Sequence, residues 1–255
     1  MWPIWWPRIG QGGEMAYVVT VSEGAICAPD ELRRVLVAAT QQLLGSTITL
    51  SDVAWFAPTA LPGWSRAHVA THLNLHGQAV IAILQGVAAG RTPSWHPVET
   101  EAALKAGGRR DAITLQEELD RSAADVMRVI DAIGPDRWQV QVRSRFGTVP
   151  VWQLLVARLN EVILHHVDLA VGYSLSDLDP QVATTLLYWN LHRAEARFSQ
   201  VTLELTADEG WTESIGSGPL VQISGSIAAL LGWITGRLDA AAVLGAESLA
   251  VVPLA

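Results

Sequence analysis

Cysteine occurs once in these 255 residues, at Cys27, so no intrachain disulfide can form and a reducing compartment, the cytoplasm, suits the chain. Its setting, Gly24-Ala25-Ile26-Cys27-Ala28-Pro29-Asp30, holds nothing that would depress a thiol pKa, which argues against a cysteine nucleophile. Any thiol chemistry here must use a thiol brought from outside. Lysine also occurs once, at Lys105, and 17 basic residues stand against 25 acidic ones, for a net charge of −8. Nucleic acid and anionic membranes want a basic face, so neither is expected as a partner. No apolar run reaches the roughly 18 residues that a membrane-spanning helix needs. A glycine-rich phosphate loop is missing, as is the Gly-x-Ser-x-Gly of a serine hydrolase.

What is present is apolar: half of the residues are hydrophobic and 16% are charged, enough to bury a sizeable core in one large domain or two modest ones. The opening Met1-Trp2-Pro3-Ile4-Trp5-Trp6-Pro7-Arg8 lacks both an amphipathic period and the parts of a secretory signal. Residues 1–28 are therefore expected to be a leader, disordered or over-extended, with Met15 the true start.

Periodicity then predicts four helices: Asp30 to Leu44, Ser65 (as N-cap) to Ala89, Leu115 to Ile133, and Val151 to Val171 opened by Pro150 and stopped by Gly172. Trp55 to Trp64 and Gly90 to Asp111 read as loops, and Trp138 to Val149 as a short extended excursion. Four helices with one long crossover predict a bundle over residues 29–178. A small α/β domain is expected over 179–255. It would hold a helix from Pro180 to Phe198, strands at Val201–Leu205 and Leu220–Ile223, a helix from Ile227 to Thr235 capped by Ser224-Gly225-Ser226, and a third strand near Leu249 to Val252. The expected fold class is thus α+β.

Five of the seven histidines fall in two of the bundle helices. Glu161 and His165 lie one turn apart, so in a helix both project from one face, roughly 6 Å from each other along the axis. His68, His72 and His76 form a ladder at the same interval on the second helix. With about 40° of drift per step the three cannot all reach one ion, and spacing does not choose among them. One histidine added to Glu161 and His165 would make an open three-ligand site, the usual form of a catalytic metal centre. The plainer alternative is an ion pair between Glu161 and Arg158, three residues before it. Arg158, and Asp168 three residues after His165, can equally orient metal ligands from behind. His166 points about 100° away from His165 and reads as structural; His96 and His192 lack partners in sequence. The Ser224-Gly225-Ser226 helix start can hold an anion through its amides but is more often only a cap.

Leu61-Pro62-Gly63-Trp64-Ser65-Arg66-Ala67-His68-Val69-Ala70-Thr71-His72-Leu73, with Asn160-Glu161-Val162 through His165-His166-Val167-Asp168-Leu169, resembles the mycothiol-dependent maleylpyruvate isomerases of the DinB-like superfamily. Val221-Gln222-Ile223-Ser224-Gly225-Ser226-Ile227-Ala228 through Gly236-Arg237 resembles that family's smaller C-terminal domain. The resemblance implies a DinB-like four-helix bundle whose metal ligands fall on His72, Glu161 and His165, taking the middle histidine of the ladder. It implies a divalent ion, expected to be zinc, and mycothiol as the thiol, with Arg158 and Asp168 serving the cofactor site. Arg237 would hold a substrate carboxylate or assist catalysis, in a pocket between bundle and C-terminal domain. The implied reaction is thiolate addition to the cis double bond of maleylpyruvate, rotation, and release of fumarylpyruvate and thiol. An S-transferase that keeps the adduct, and a non-catalytic small-molecule-binding bundle, are the alternatives. One departure bears on the substrate: Asn160 stands where many relatives have arginine. Partners are expected to be small molecules, with the chain a monomer or homodimer.

Overall fold

The structure, a computed structural model, describes residues 29–95, 100–144, 147–247, 249 and 251. The expected leader, Cys27 and His96 lie outside the described residues. The chain divides into two compact units, residues 29–171 and the residues from Gly172 on.

In the first unit α1 (Pro29–Thr47) begins with Asp30 and Glu31 in its first turn, where carboxylates suit the helix dipole. Helix α3 (Arg66–Ala88) starts at Ser65, whose hydroxyl accepts from the His68 amide while the His68 ring accepts from the Ser65 amide. Helix α5 (Ala112–Asp131) is capped by Asp111, which accepts from the Thr114 amide at 2.8 Å. Helix α6 (Gln153–Asp168) carries Glu161 and His165, and Leu155, Leu159, Val162 and Ile163 are buried along it. Packing pairs α3 with α5 and α6, and α1 with α6 and α5, which closes a four-helix bundle and sets the two histidine-bearing helices side by side.

Several expectations need correction. The loop from Trp55 is entered by a short helix, α2 (Asp52–Phe56), capped by Ser51, and Trp55 is fully buried. The connection after Gly90 contains α4 (Glu101–Gly107), capped by Thr100. Both helices are too short to show an apolar period. The extended excursion is a hairpin of β1 (Gln141–Ser144) and β2 (Gly147–Pro150), so Pro150 closes a strand instead of opening α6. Helix α6 stops at Asp168, ahead of Gly172, because Ala170 takes a left-handed φ of 51°. Arg66 holds that end: Nε donates to the Leu169 carbonyl at 2.5 Å, Nη2 to the Ala170 carbonyl at 3.3 Å, and Nη1 to the Ala54 carbonyl at 3.1 Å. One side chain thus satisfies carbonyls that a helix end leaves orphaned and ties α6 to the start of α3.

In the second unit α7 (Pro180–Ala194) packs on α8 (Ile227–Ile234). A three-stranded sheet has the order β4-β3-β5, with β3 (Thr202–Ala207) antiparallel to β4 (Thr212–Gly216) and parallel to β5 (Leu220–Gly225). Leu203, Leu205, Ile215 and Ile223 are buried in it. The third strand is therefore β4 and not the segment near Leu249. Leu249 and Val251 are in no strand, and Ala250 and Val252 lie outside the described residues. Thr212–Gly216 was illegible because, as an edge strand, it buries only Ile215.

Candidate metal centre

Glu161 and His165 share a face of α6, as one helical turn requires, and α3 brings His72 against them. His72 Nε2 lies 2.8 Å, and His165 Nε2 3.2 Å, from the same Glu161 oxygen, Oε2. The ligand atoms of the three residues all fall within 4.8 Å of one another. Ligands about 2.0–2.1 Å from a tetrahedral ion stand about 3.3 Å apart, so these spacings fit a divalent metal with little rearrangement. The donor set, two imidazoles and one carboxylate, is also one that catalytic zinc uses.

Support behind the ligands points the same way. His165 Nδ1 lies 2.8 Å from Asp168 Oδ2, and both side chains are 2% exposed. A carboxylate on the far nitrogen fixes the tautomer that leaves Nε2 free to ligate. Burial alone would raise the Glu161 pKa. The neighbouring His76 and the hydrogen bonds with His165 and His72 outweigh it and hold the carboxyl well below its ordinary range. Glu161 is 20% exposed and His72 12%, so the site opens on their side. The Trp64 ring covers part of it, 5.4 Å from the His72 ring and stacked 6.3 Å from the His165 ring.

Arg158 departs from the ion-pair expectation. Its Nη1 donates to the Leu73 carbonyl at 2.7 Å, and it makes no ion pair with Glu161 among the described residues. Burial lowers its pKa to about 10, opposed by the nearby Glu161 charge, so it acts on the site as a neighbouring cation that anchors α6 to α3. Gly77 makes room for this crossing: a Cβ there would meet the Ser122 hydroxyl at 2.5 Å and Arg158 Cζ at 3.8 Å.

The rest of the ladder divides cleanly. His68 is spent on the capping box of α3, and His76 lies half-buried beside the site, its ring 6.4 Å from that of His72. His166 bonds Ser46 of α1 at 2.7 Å, the structural part expected of it. Burial lowers its pKa to about 4. In the second unit, the Ile227 amide at the start of α8 is taken by Glu209 Oε2 at 2.9 Å, and Ser226 caps Ala229 at 3.2 Å. The cap reading, not the anion reading, applies to that turn. Arg237 follows α8, with Nη1 donating to the Thr235 carbonyl at 2.8 Å, and His192 sits against Tyr188 with ring centroids 4.4 Å apart.

Sequence reasoning missed Trp64 as a cover of the site and Arg66 as the clamp that holds the end of α6. Trp64 and Arg66 flank the Ser65 cap, which fixes their direction at the head of α3. That proximity was the available signal.

No curated protein sequence matches the chain. Among solved structures, a mycothiol-dependent maleylpyruvate isomerase superposes with a TM-score of 0.76 at 19% identity, covering 84% of this chain and 91% of that one. A mutant of such an enzyme gives 0.75 at 19%, covering 83% and 90%. YfiT from Bacillus subtilis, described as a probable metal-dependent hydrolase with an unusual four-helix bundle topology, gives 0.49 at 17%, covering 64% and 96%. At these identities the likeness speaks for the fold alone. The family model for the mycothiol maleylpyruvate isomerase N-terminal domain matches residues 22–170, more than half of the chain and the span that carries α3, α6 and every candidate ligand. That match shows that the chain belongs to the mycothiol maleylpyruvate isomerase family.

Proposed function

We propose that this protein is a metal-dependent, mycothiol-using enzyme of the cytoplasm that isomerises maleylpyruvate to fumarylpyruvate or a closely related cis-enoyl acid. The observation that carries the reading is the convergence of His72, Glu161 and His165 on one point with Asp168 behind His165. These residues would hold a divalent ion, zinc fitting the donor set best. Together the ion and the thiol supply a nucleophile ionised near neutral pH, able to add reversibly to a conjugated double bond.

The chain's own residues do the rest. Glu161, kept anionic, contributes one negative charge to the site and leaves it open to a further anion. Asp168 holds His165 in register, and Arg158 fixes α6 against α3 while supplying positive charge from behind. Arg237 is assigned a substrate carboxylate, for which a guanidinium offers a bidentate, permanently charged partner. The bundle thus bears the metal and thiol chemistry, and the C-terminal unit contributes to substrate choice.

Turnover of maleylpyruvate with and without mycothiol tests this. Fumarylpyruvate formed only with mycothiol, and free mycothiol recovered in full, is the expected result. Mycothiol consumed in step with product would instead mark an S-transferase, and absence of any mycothiol-dependent reaction would contradict both. Loss of turnover in Arg237→Ala, with a raised KM in Arg237→Lys, is the expected mark of the carboxylate role.

A further inference from the structure

His76 differs from the other bundle histidines in how its ring is used. His68 bonds Ser65, His72 bonds Glu161, His165 bonds Asp168, and His166 bonds Ser46. His76 Nδ1 is buried with no hydrogen-bond partner, although a buried polar atom left unpaired is costly. A proton on that nitrogen would strand a donor, so the favoured tautomer carries it on Nε2, which is not sealed off in this way.

The ring is also held in place. It follows His72 by one turn of α3, with its centroid 6.4 Å from that of His72 on one side and 5.3 Å from the Trp95 ring on the other. Yet it stands outside the trio whose ligand atoms lie within 4.8 Å of one another. His76 is thus one step back from the metal position, beside its ligands, with an N–H to spend.

We propose that His76 is a ligand-binding residue of this site, its imidazole N–H donating a hydrogen bond to the thiolate sulfur that occupies the open side of the metal centre. The inference rests on the proposed metal and thiol function. An N–H donor at this position stabilises the sulfur anion. Trp95, by pinning the ring, saves the entropy of ordering it when the thiol binds.

The test uses full-length protein loaded with Co2+, in which thiolate binding gives a sulfur-to-cobalt charge-transfer band. Mycothiol is titrated into wild type, His76→Ala and His76→Gln, and Co2+ affinity is measured separately by competition with a chelator. The expected result is a mycothiol Kd raised about tenfold or more in His76→Ala, as loss of one hydrogen bond to a charged group implies. Co2+ affinity should be unchanged, and His76→Gln, which retains an N–H donor, should recover part of the loss. An unchanged mycothiol Kd in His76→Ala overturns the inference. So does a parallel loss of Co2+ affinity, which would make His76 a metal ligand or a purely structural residue. Wild type that binds no Co2+ overturns the proposed function itself, a result distinct from either.

Discussion

At the scale of single residues the three candidate ligands are polar groups set against one another, with only His165 fully buried. His165 is 2% exposed and carries a carboxylate on each ring nitrogen, Asp168 on Nδ1 and Glu161 near Nε2. The two play different parts: Asp168 is as buried as the ring and orients it, whereas Glu161 is partly open and offers its oxygen to a metal. Replacing the orienting carboxylate should therefore weaken the site without destroying it. Asp168→Asn is expected to lower zinc affinity about 10–100-fold, measured by chelator competition, with the circular dichroism spectrum unchanged. Equal affinity would mean that Asp168 serves packing alone. The one-turn spacing of Glu161 and His165 was legible in the sequence because helical geometry alone fixes it. Which rung of the histidine ladder joins them was not legible in the spacing, since that depends on the rotation of α3 against α6; only the family resemblance pointed to His72. The structure resolves it through Ser65, which takes His68 as its capping partner, and through Arg158, whose reach to the Leu73 carbonyl sets the two helices together.

Elements are held by their ends. Arg66 clasps the last carbonyls of α6, and Ala170 turns the chain there with a φ of 51°, a conformation that costs an L-residue roughly 1–2 kcal/mol. Ala170 is exposed, so Ala170→Gly removes that strain at little packing cost and should stabilise the protein by about 1 kcal/mol, read as a rise in the urea midpoint. No gain would show that the turn is relaxed by its surroundings. The cap of α5 gives a pH signature. The Thr114 amide lowers the Asp111 pKa below its ordinary 3.8, so the charged carboxylate favours the folded state above that value. Its contribution is lost as pH falls through the lower, folded-state pKa. Asp111→Asn keeps a cap that does not titrate. The stability difference between wild type and this variant should therefore shift against wild type between pH 5 and pH 3 and stay flat above pH 5. Capping signals of this kind, Ser65 and Ser226 among them, were legible because a side-chain oxygen before an apolar run has few other uses. The ends of α6 and the existence of α2, α4 and β4 were not: a tertiary clamp stops the first, and the others are too short or too exposed to carry a period.

For the molecule as a whole, the α+β architecture was legible because two different rhythms follow one another in the chain, 3.6-residue spacing through α6 and alternation in β3 and β5. The pairing of α3 with α6 that builds the site is a long-range contact, which local periodicity cannot contain. The family match spans that pairing and leaves the reaction partner to be settled by chemistry. Everything proposed for this protein depends on one claim, that His72, Glu161 and His165 together hold a divalent metal. Metal content by mass spectrometry, on protein loaded with zinc and then gel-filtered, tests it most directly across wild type, His72→Ala and Glu161→Gln. The account predicts close to one zinc per wild-type chain and near zero in both variants, each still folded by circular dichroism. Equal zinc in all three, or none in wild type, would contradict it.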